Sequence, residues 1–198
     1  DDGIHILFEK PAGVSELVSC NTNRRKSVRG IHVFKDGGIF LGSYGGASYL
    51  DSSGSCHPMD SIKTAYCILP IDETQLLIGT EGGFLKVFDR RSLTISNYPF
   101  TLSDQVENKF NFPSSILSLA ETPQHYLIGS TKGLWRIDKN THLLTPIKIQ
   151  LQGQTLLNLQ IRHIVSLTNE WLLSTQIGLL KLTKEGQATR LFPTQGSI

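Results

Sequence analysis

The chain has 198 residues, of which 39% are hydrophobic and 18% are charged, and its net charge is +2. This composition is typical of a soluble globular domain and excludes an intrinsically disordered chain. The small charge argues against a nucleic-acid-binding surface, and we interpret the dense basic run Arg24-Arg25-Lys26 as a solvated loop. No apolar run approaches the roughly 18 residues of a membrane-spanning helix. Together with the small net charge, this predicts that the segment contacts neither nucleic acid nor a membrane.

One plan recurs four times along the chain. Each copy consists of an apolar strand, a short polar turn, a second apolar strand that ends in Gly-Ser or Gly-Thr, a glycine turn and a third strand. The copies span 31–50, 66–89, 116–138 and 164–182, and a partial copy begins at Gly3. The equivalent positions Gly42, Gly79, Gly129 and Ser174 are 37, 50 and 45 residues apart. This is the spacing of one four-stranded propeller blade per repeat.

The sequence therefore predicts an all-β fold, a β-propeller of about four and a half four-stranded blades that is a fragment of a larger propeller of about seven. We expect a single domain over 1–198, with half a blade at 1–27 and whole blades at 28–61, 62–114, 115–160 and 161–198. The outer strand of each whole blade is predicted within 51–61, 90–114, 139–160 and 183–198. The first of these stretches is the shortest, so its strand should be stunted.

Two glycines of the repeat are predicted to serve the turn between the second and third strands. The first lets the backbone turn tightly where a side chain would clash, and it recurs as Gly42, Gly79 and Gly129. The second is expected at positive φ just before the third strand. It recurs as Gly46, Gly83, Gly133 and Gly178.

The repeat resembles a known family. The pattern apolar-apolar-Ile-Gly-Thr/Ser-x-x-Gly-Leu-x-x-x-Asp is similar to the two-component regulator propeller repeat. It is clearest in Phe40-Leu41-Gly42-Ser43, Leu77-Ile78-Gly79-Thr80 and 127–138, and the resemblance covers essentially the whole chain. In that family such repeats build the extracytoplasmic sensor region of bacterial hybrid histidine kinases, many of them tied to polysaccharide use. The resemblance implies a periplasmic location and a small carbohydrate-type ligand, and it allows a homodimer formed through the full-length receptor.

Residues that could catalyse a reaction or bind a metal do not form a recognisable group. The six histidines are isolated, and no G-x-S-x-G elbow is present. The three cysteines, Cys20, Cys56 and Cys67, lack the C-x-x-C spacing of a zinc site. A single bridge between Cys56 and Cys67 stays open, and cysteine usage does not identify the compartment. We therefore predict no catalytic residue, no metal, no cofactor and no enzymatic activity in this segment.

One positional signal predicts a binding site. In propellers, the turns between second and third strands and the connections between blades open on one face, around the central channel. A ring of cations there would suit an anionic or hydroxyl-rich ligand, and an exposed tyrosine could stack on a sugar. The alternative is a polar, solvated channel wall. The predicted cations, in equivalent phase ahead of three inner strands, are Arg29, Lys63 and Arg162, and the predicted turn residues are Tyr44, Glu81, Lys132 and Gln176.

Three functions follow from these observations. The leading hypothesis is a ligand-sensing module of a two-component receptor, in which binding shifts the arrangement of propellers and passes a signal to a kinase. The second is a protein–protein scaffold, as in WD-repeat or citron-type propellers. The third is a propeller lyase or hydrolase, which would need acid–base residues that converge at the channel mouth.

Overall fold

The structure, a computed structural model, describes residues 5–7, 14–16, 20, 27–104 and 115–192. Over these ranges the chain forms strands and turns, with no helix and hence no helix that could cross a membrane. The all-β prediction is confirmed for this part of the chain. The start of the partial repeat at Gly3 and the basic run Arg24-Arg25-Lys26 lie outside the described residues.

The chain divides into two compact units, which are described separately. One consists of Asp1–Thr80 with Lys86–Ser96, and the other of Glu81–Leu85 with Asn97–Ile198. At the start of the first unit, β1 (His5–Leu7) and β2 (Val14–Glu16) pair antiparallel.

The first unit contains two four-stranded sheets, in which the strand order follows the chain. Leu85 and Asn97, at the ends of β9 and β10, are grouped with the second unit. The outer strand β6 has only three residues, so the prediction of a stunted outer strand is confirmed. The first sheet comprises β3 (Val28–Val33), β4 (Ile39–Ser43), β5 (Gly46–Leu50) and β6 (Cys56–Pro58). The second comprises β7 (Ala65–Pro70), β8 (Gln75–Thr80), β9 (Leu85–Asp89) and β10 (Thr94–Asn97).

The second unit contains two larger sheets, each built on four antiparallel strands. The third sheet has the order β11-β15-β14-β13-β12, and the fourth has the order β17-β16-β21-β20-β19-β18. The third comprises β11 (Thr101–Leu102), β12 (Ile116–Glu121), β13 (His125–Ser130), β14 (Gly133–Asp138) and β15 (Leu143–Ile147). The fourth comprises β16 (Ile149–Leu151), β17 (Gln154–Leu156), β18 (Ile161–Ser166), β19 (Glu170–Thr175), β20 (Gly178–Thr183) and β21 (Gln187–Arg190).

The apolar runs of the repeat form the second strands, and three of these are covered on both faces. In β8, for example, Leu76, Leu77 and Ile78 have no exposed surface. A strand that packs on both faces reads as an unbroken apolar run, because neither face meets water. The fourth sheet differs, because in β19 only every second residue is buried, starting at Trp171.

The first glycine of the repeat has a different role from the one predicted. Gly42 and Gly129 lie inside β4 and β13, two residues before the hairpin turn begins, and Gly79 lies inside β8. A Cβ on Gly42 would lie 2.9 Å from the Ala65 Cβ, on the inner strand of the next sheet. A Cβ on Gly129 would lie 2.8 Å from Cγ2 and 3.0 Å from the carbonyl oxygen of Ile161, again on the next inner strand. The tight-turn assignment is therefore wrong, and the glycine at 42 and 129 allows two neighbouring sheets to approach closely.

The second glycine of the repeat behaves as the pattern predicts. Gly46, Gly133 and Gly178 open their third strands, and Gly83 lies two residues before β9. All four have a backbone conformation that side-chain-bearing residues rarely adopt. The φ values of Gly46, Gly83, Gly133 and Gly178 are 152°, 76°, 115° and 108°.

Three connections between blades are attached to the outer edge of the blade that follows them. Strand β11 pairs in parallel with the outer strand β15, and β16 pairs in parallel with the outer strand β21. Ahead of the first sheet, Cys20 forms a disulfide with Cys56 on the outer strand β6, with their Cα atoms 5.4 Å apart. The alternative of a Cys56–Cys67 bridge is therefore wrong. Cys67, on the inner strand β7, is not part of a disulfide, and burial raises the pKa of its thiol to about 12.

The aspartate that ends the third strand closes the turn to the outer strand. Asp138 Oδ1 accepts hydrogen bonds from the backbone N–H groups of Asn140 (3.0 Å) and Thr141 (2.8 Å). Asp89 accepts two backbone N–H groups at the same spacing. Asp51, which directly follows β5, accepts the backbone N–H groups two and four residues ahead. Aspartate is favoured here because its short carboxylate reaches the backbone two or three residues ahead.

We expect the Asp51 turn to make the protein sensitive to acid. The hydrogen bond from His57 Nε2 (3.0 Å), followed by the one from the Ser53 hydroxyl, holds the pKa of Asp51 well below its usual value. A carboxyl with a depressed folded pKa stabilises the fold above its unfolded pKa of about 3.9, and this contribution is lost as the pH falls through the folded value. The melting temperature of Asp51→Asn should therefore depend less on pH between about pH 5 and 2 than that of the parent chain. Asp60→Asn, at an exposed position, is the matched control, and identical pH profiles for Asp51→Asn and Asp60→Asn would contradict the assignment.

Candidate ligand-binding site

The turns between the second and third strands carry four of the predicted site residues, and three of these turns share one closing contact. Ser43 Oγ donates a hydrogen bond to the Gly46 carbonyl oxygen (3.0 Å), and Ser130 Oγ donates to that of Gly133 (2.8 Å). Thr175 Oγ1 donates to the carbonyl oxygen of Gly178 (2.7 Å). A hydroxyl residue at the end of the second strand therefore fixes the two residues at the tip of the hairpin.

The first residue of the hairpin tip, directly after the second strand, is Tyr44, Glu81, Thr131 or Gln176 in the four sheets. The register fixes this equivalence in three sheets, because Ser43 pairs with Gly46, Ser130 with Gly133 and Thr175 with Gly178. Glu81 directly follows the end of β8. Lys132 occupies the second tip position and is half-buried, so its prediction as the match of Tyr44 is one residue out.

In the first unit, the tip residue Tyr44 joins two inner strands. Its backbone N–H donates to the Ser27 carbonyl oxygen (2.9 Å), just ahead of β3. It also forms a β-bridge with Thr64, the residue that precedes β7 and follows Lys63 in the chain. The Tyr44 side chain is 58% exposed. The β-bridge therefore brings Tyr44 next to the segment that carries Lys63.

In the second unit, the hairpin tips are tied to inner strands in the same manner. Glu81 forms a β-bridge with Ser115, just ahead of β12. The side-chain carbonyl oxygen of Gln176 accepts a hydrogen bond from the backbone N–H of Gln160, just ahead of β18. Arg162 follows two residues later and is exposed. The Gln176 side chain is thus held against the backbone that leads into Arg162.

The inner strands carry a β-bulge at one repeated position, which the sequence did not reveal. In each sheet the register shifts opposite the end of the second strand, so one inner-strand residue has no partner there. A bulge re-aims a side chain and is often found beside functional sites. The bulged residues are Arg29, Tyr66, Leu117 and Arg162.

The bulge corrects the phase of the predicted cation ring. Arg29 and Arg162 occupy the same position of the repeat, both exposed. Lys63 is exposed too, but it precedes the bulged residue Tyr66 by three positions, so its assignment to the same phase is wrong. Arg29 and Arg162 lie in different units, and a ring formed by them stays a prediction.

The groups present suit recognition by hydrogen bonding. Each arginine offers a fork of five N–H donors, and the exposed ring of Tyr44 offers a stacking face. The exposed residues of β3 after Arg29 are aliphatic, with Ile31 43% and Val33 57% exposed. In the described ranges, no three His, Cys, Asp or Glu side chains gather into a potential metal site.

The chain resembles known proteins in its structure. No protein-family model matches the sequence, and a search of the curated proteins gives no match. Among solved structures, the extracellular domain of the hybrid two-component system BT4673 from B. thetaiotaomicron is similar, with a TM-score of 0.71 and 21% identity. The match covers 91% of this chain and 23% of that one. The fold is propeller-like.

Two further solved structures have the same likeness. The extracellular domain of the hybrid two-component system BT3049, from the same organism, has a TM-score of 0.60 and 15% identity over 85% of this chain and 22% of that one. PorZ, a surface component of the type-IX secretion system of Porphyromonas gingivalis, has a TM-score of 0.67 and 13% identity over 95% of this chain and 31% of its own. The chain thus spans under a quarter of the two extracellular domains it matches. Its resemblance to the two-component regulator propeller repeat is supported at the level of fold.

Proposed function

We propose that this chain is a ligand-sensing propeller segment of a bacterial two-component receptor of the hybrid histidine kinase type, and that the segment binds its ligand without transforming it. The likeness to the BT4673 extracellular domain carries the proposal, because it extends over 91% of the chain. The quoted motifs of the propeller repeat support it independently. Sensing would then follow from ligand contacts that favour one arrangement of the propellers over another.

The location we propose is extracytoplasmic, and specifically periplasmic. The disulfide between Cys20 and Cys56 supports this location, because such bonds persist in oxidising compartments and are rare in the cytosol. The matched domains of BT4673 and BT3049 are extracellular. A homodimer would form through the full-length receptor.

We propose further that the fourth sheet is covered by another blade in a propeller larger than four and a half blades. Val165, Leu172 and Leu179 lie on one face of this sheet, in the register that Ala120, Leu127 and Leu134 occupy in the third. The latter three are at most 8% exposed, because they pack in the core cluster formed with the fourth sheet. Val165 is 43% exposed, although Ala120, at the equivalent position of the third sheet, is buried. An apolar face with this repeat phase fits the inner surface of a further blade.

The ligand we propose is a small carbohydrate, bound where the hairpin tips meet the inner strands. Arg29 and Arg162 would donate hydrogen bonds to hydroxyl or carboxylate groups, and Tyr44 would stack on a sugar face. Lys63 would contribute to binding on the first unit, and Glu81, Lys132 and Gln176 on the second.

The test is a thermal-shift screen of the chain against neutral sugars and uronates. A binding sugar should raise the melting temperature, and Arg29→Ala with Arg162→Ala should abolish that shift without lowering the melting temperature of the free protein, because both side chains are exposed. Lys184→Ala, an exposed lysine in the turn between β20 and β21, is the matched control. A sugar shift that survives the double variant would remove this site.

A scaffold function is the second candidate, favoured by the likeness to PorZ, which is a surface component of a secretion system. Under that function the whole sugar screen should leave the melting temperature unchanged. The screen therefore separates the two candidates.

A further inference from the structure

The first unit contains a cavity of ≈ 570 Å³ between its two four-stranded sheets. It lies where the turn between β3 and β4 meets the turn between β7 and β8, at the opposite end of the strands from the hairpin tip that carries Tyr44. Its volume falls in the range of about 300–1,000 Å³ that small-molecule sites occupy. Within the described residues, its lining includes none of the residues of the sugar site proposed above.

Two ion pairs join the two sheets around this cavity. Lys35, in the turn between β3 and β4, pairs with Glu73 in the turn between β7 and β8. Asp36 pairs with Arg90, whose guanidinium also lies 4.6 Å from the centre of the Phe34 ring. These contacts hold both turns in place, so the cavity is formed before a ligand enters.

Two further charged side chains line the cavity, and they are opposite in sign. Arg91 and Asp72 are both exposed. Hydrogen bonds from Thr74 lower the pKa of Asp72, and the positive charge of Arg91 lowers it further. The two groups therefore interact across space, although in the described part of the chain no salt bridge joins them.

Both groups retain hydrogen-bonding capacity toward the cavity. Asp72 Oδ1 accepts the backbone N–H groups of Thr74 (2.6 Å) and Gln75 (2.8 Å) and the Thr74 hydroxyl (2.9 Å). Among the described residues, no group donates to its Oδ2, and the Arg91 guanidinium donates to no acceptor. One carboxylate oxygen thus fixes the turn, and the other is available to a ligand together with the Arg91 donors.

The remaining wall of the cavity is largely apolar. Val33, the last residue of β3, lines it and is 57% exposed. Pro70, at the end of β7, is also exposed, and Ile71 is half-buried. An aliphatic group in the cavity would remove part of this apolar surface from water.

We propose that this cavity binds a small zwitterion with an apolar side chain, an aliphatic α-amino acid. Its ammonium group would donate to Asp72 Oδ2, its carboxylate would accept from the Arg91 guanidinium, and its side chain would cover Val33. An α-amino acid carries both charged groups on one carbon atom, so a single molecule can bridge the gap between Asp72 and Arg91. The site does not depend on the sugar site.

The experiment is isothermal titration calorimetry of the whole chain with four probes. Leucine carries both charges and the chain, 4-methylpentanoate lacks the ammonium group, 3-methylbutylamine lacks the carboxylate, and glycine lacks the chain. We expect leucine to bind at one site per chain and at least about tenfold more tightly than each of the others, since it combines all three contributions. The absence of leucine binding, or equal affinity for leucine and any other probe, would overturn the proposal.

Variants locate the site. Asp72→Asn with Arg91→Gln should weaken leucine binding by at least about tenfold, while the asparagine keeps an oxygen for the turn. Asp60→Asn with Lys184→Gln is the matched control, because it removes the same two charges from exposed residues that do not line this cavity. Melting curves confirm that each variant is folded. Unchanged affinity in the folded Asp72→Asn, Arg91→Gln variant, or an equal loss in the control, would refute the assignment.

A third variant separates this site from the sugar site. Arg29→Ala with Arg162→Ala should bind leucine as tightly as the parent chain does, because neither arginine lines the cavity. A loss of leucine binding in this folded variant would mean that the amino acid binds elsewhere than proposed.

Discussion

Gly129→Ala should destabilise the protein by about 3 kcal/mol, a large fraction of the stability of a domain. The new methyl group would overlap the Ser118 hydroxyl and lie 3.0 Å from the Ile161 carbonyl oxygen. A flexible side chain could move aside, but a backbone carbonyl in the neighbouring inner strand cannot move without shifting the strand. Chemical denaturation of the variant and the parent chain measures the difference in the free energy of unfolding.

Gly133→Ala is the matched control, because it adds the same methyl group four residues later. Gly133 has a φ of 115°, and a Cβ there would meet no atom within 4 Å. Its cost is therefore backbone strain alone, on the order of 1 kcal/mol. If Gly133→Ala proves as damaging as Gly129→Ala, close packing between the third and fourth sheets is not what requires glycine at 129.

Removal of the disulfide should have an effect of similar size. Cys20 and Cys56 are 36 positions apart in the sequence, and the bond restricts the unfolded chain over that loop. The loop entropy corresponds to about 4 kcal/mol, so Cys20→Ser with Cys56→Ser should lower the free energy of unfolding by about 3–4 kcal/mol. Reduction of the parent chain with dithiothreitol should lower it equally.

Cys67→Ala provides the control for the reduction experiment. This variant keeps the disulfide, so the reductant should lower its stability by as much as it lowers that of the parent chain. In the folded parent chain, Cys67 should also react slowly with iodoacetamide at neutral pH, because its raised pKa leaves little thiolate. A Cys20→Ser, Cys56→Ser variant as stable as the parent would mean that the bond does not hold the first sheet together.

The strand plan of the blades could be predicted because its signals are local. A strand covered on both faces needs only apolar residues, and Leu76-Leu77-Ile78 reports that directly. Gly133 and Gly178 could be placed at positive φ because few other residues tolerate that conformation. The role of Gly129 could not, because its constraint comes from Ile161, which is 32 positions later in the sequence.

The candidate site was less predictable, because its geometry depends on register. The bulge position holds Arg29, Tyr66, Leu117 and Arg162, which share no chemistry, so no residue pattern marks it. A search for cations selected Lys63 in place of Tyr66 for that reason. Lys132 was misplaced by one residue, because the hairpin tip was aligned by polarity and not by the pairing of Ser130 with Gly133.

The cysteine pairing was out of reach for a related reason. Cys56 and Cys67 are close in sequence, but Cys56 lies on an outer strand and Cys67 on the inner strand of the next sheet. The true partner, Cys20, lies in the stretch ahead of the first inner strand, whose path the repeat pattern does not specify. The parallel pairings β11–β15 and β16–β21 escaped prediction in the same way.

These edge pairings mean that the repeat has two different boundaries. Strand β16 belongs to the fourth sheet although it precedes the inner strand of that sheet by ten residues, and β11 belongs to the third sheet in the same way. A gene duplication or deletion that cut just before an inner strand would separate each of these strands from its partner. Recombination could exchange repeats without loss of pairing only if the crossover fell directly behind an outer strand, near Pro99 or Lys148. In the second unit, the gene segment that could be exchanged without loss of pairing therefore begins upstream of the inner strand of the blade that it encodes.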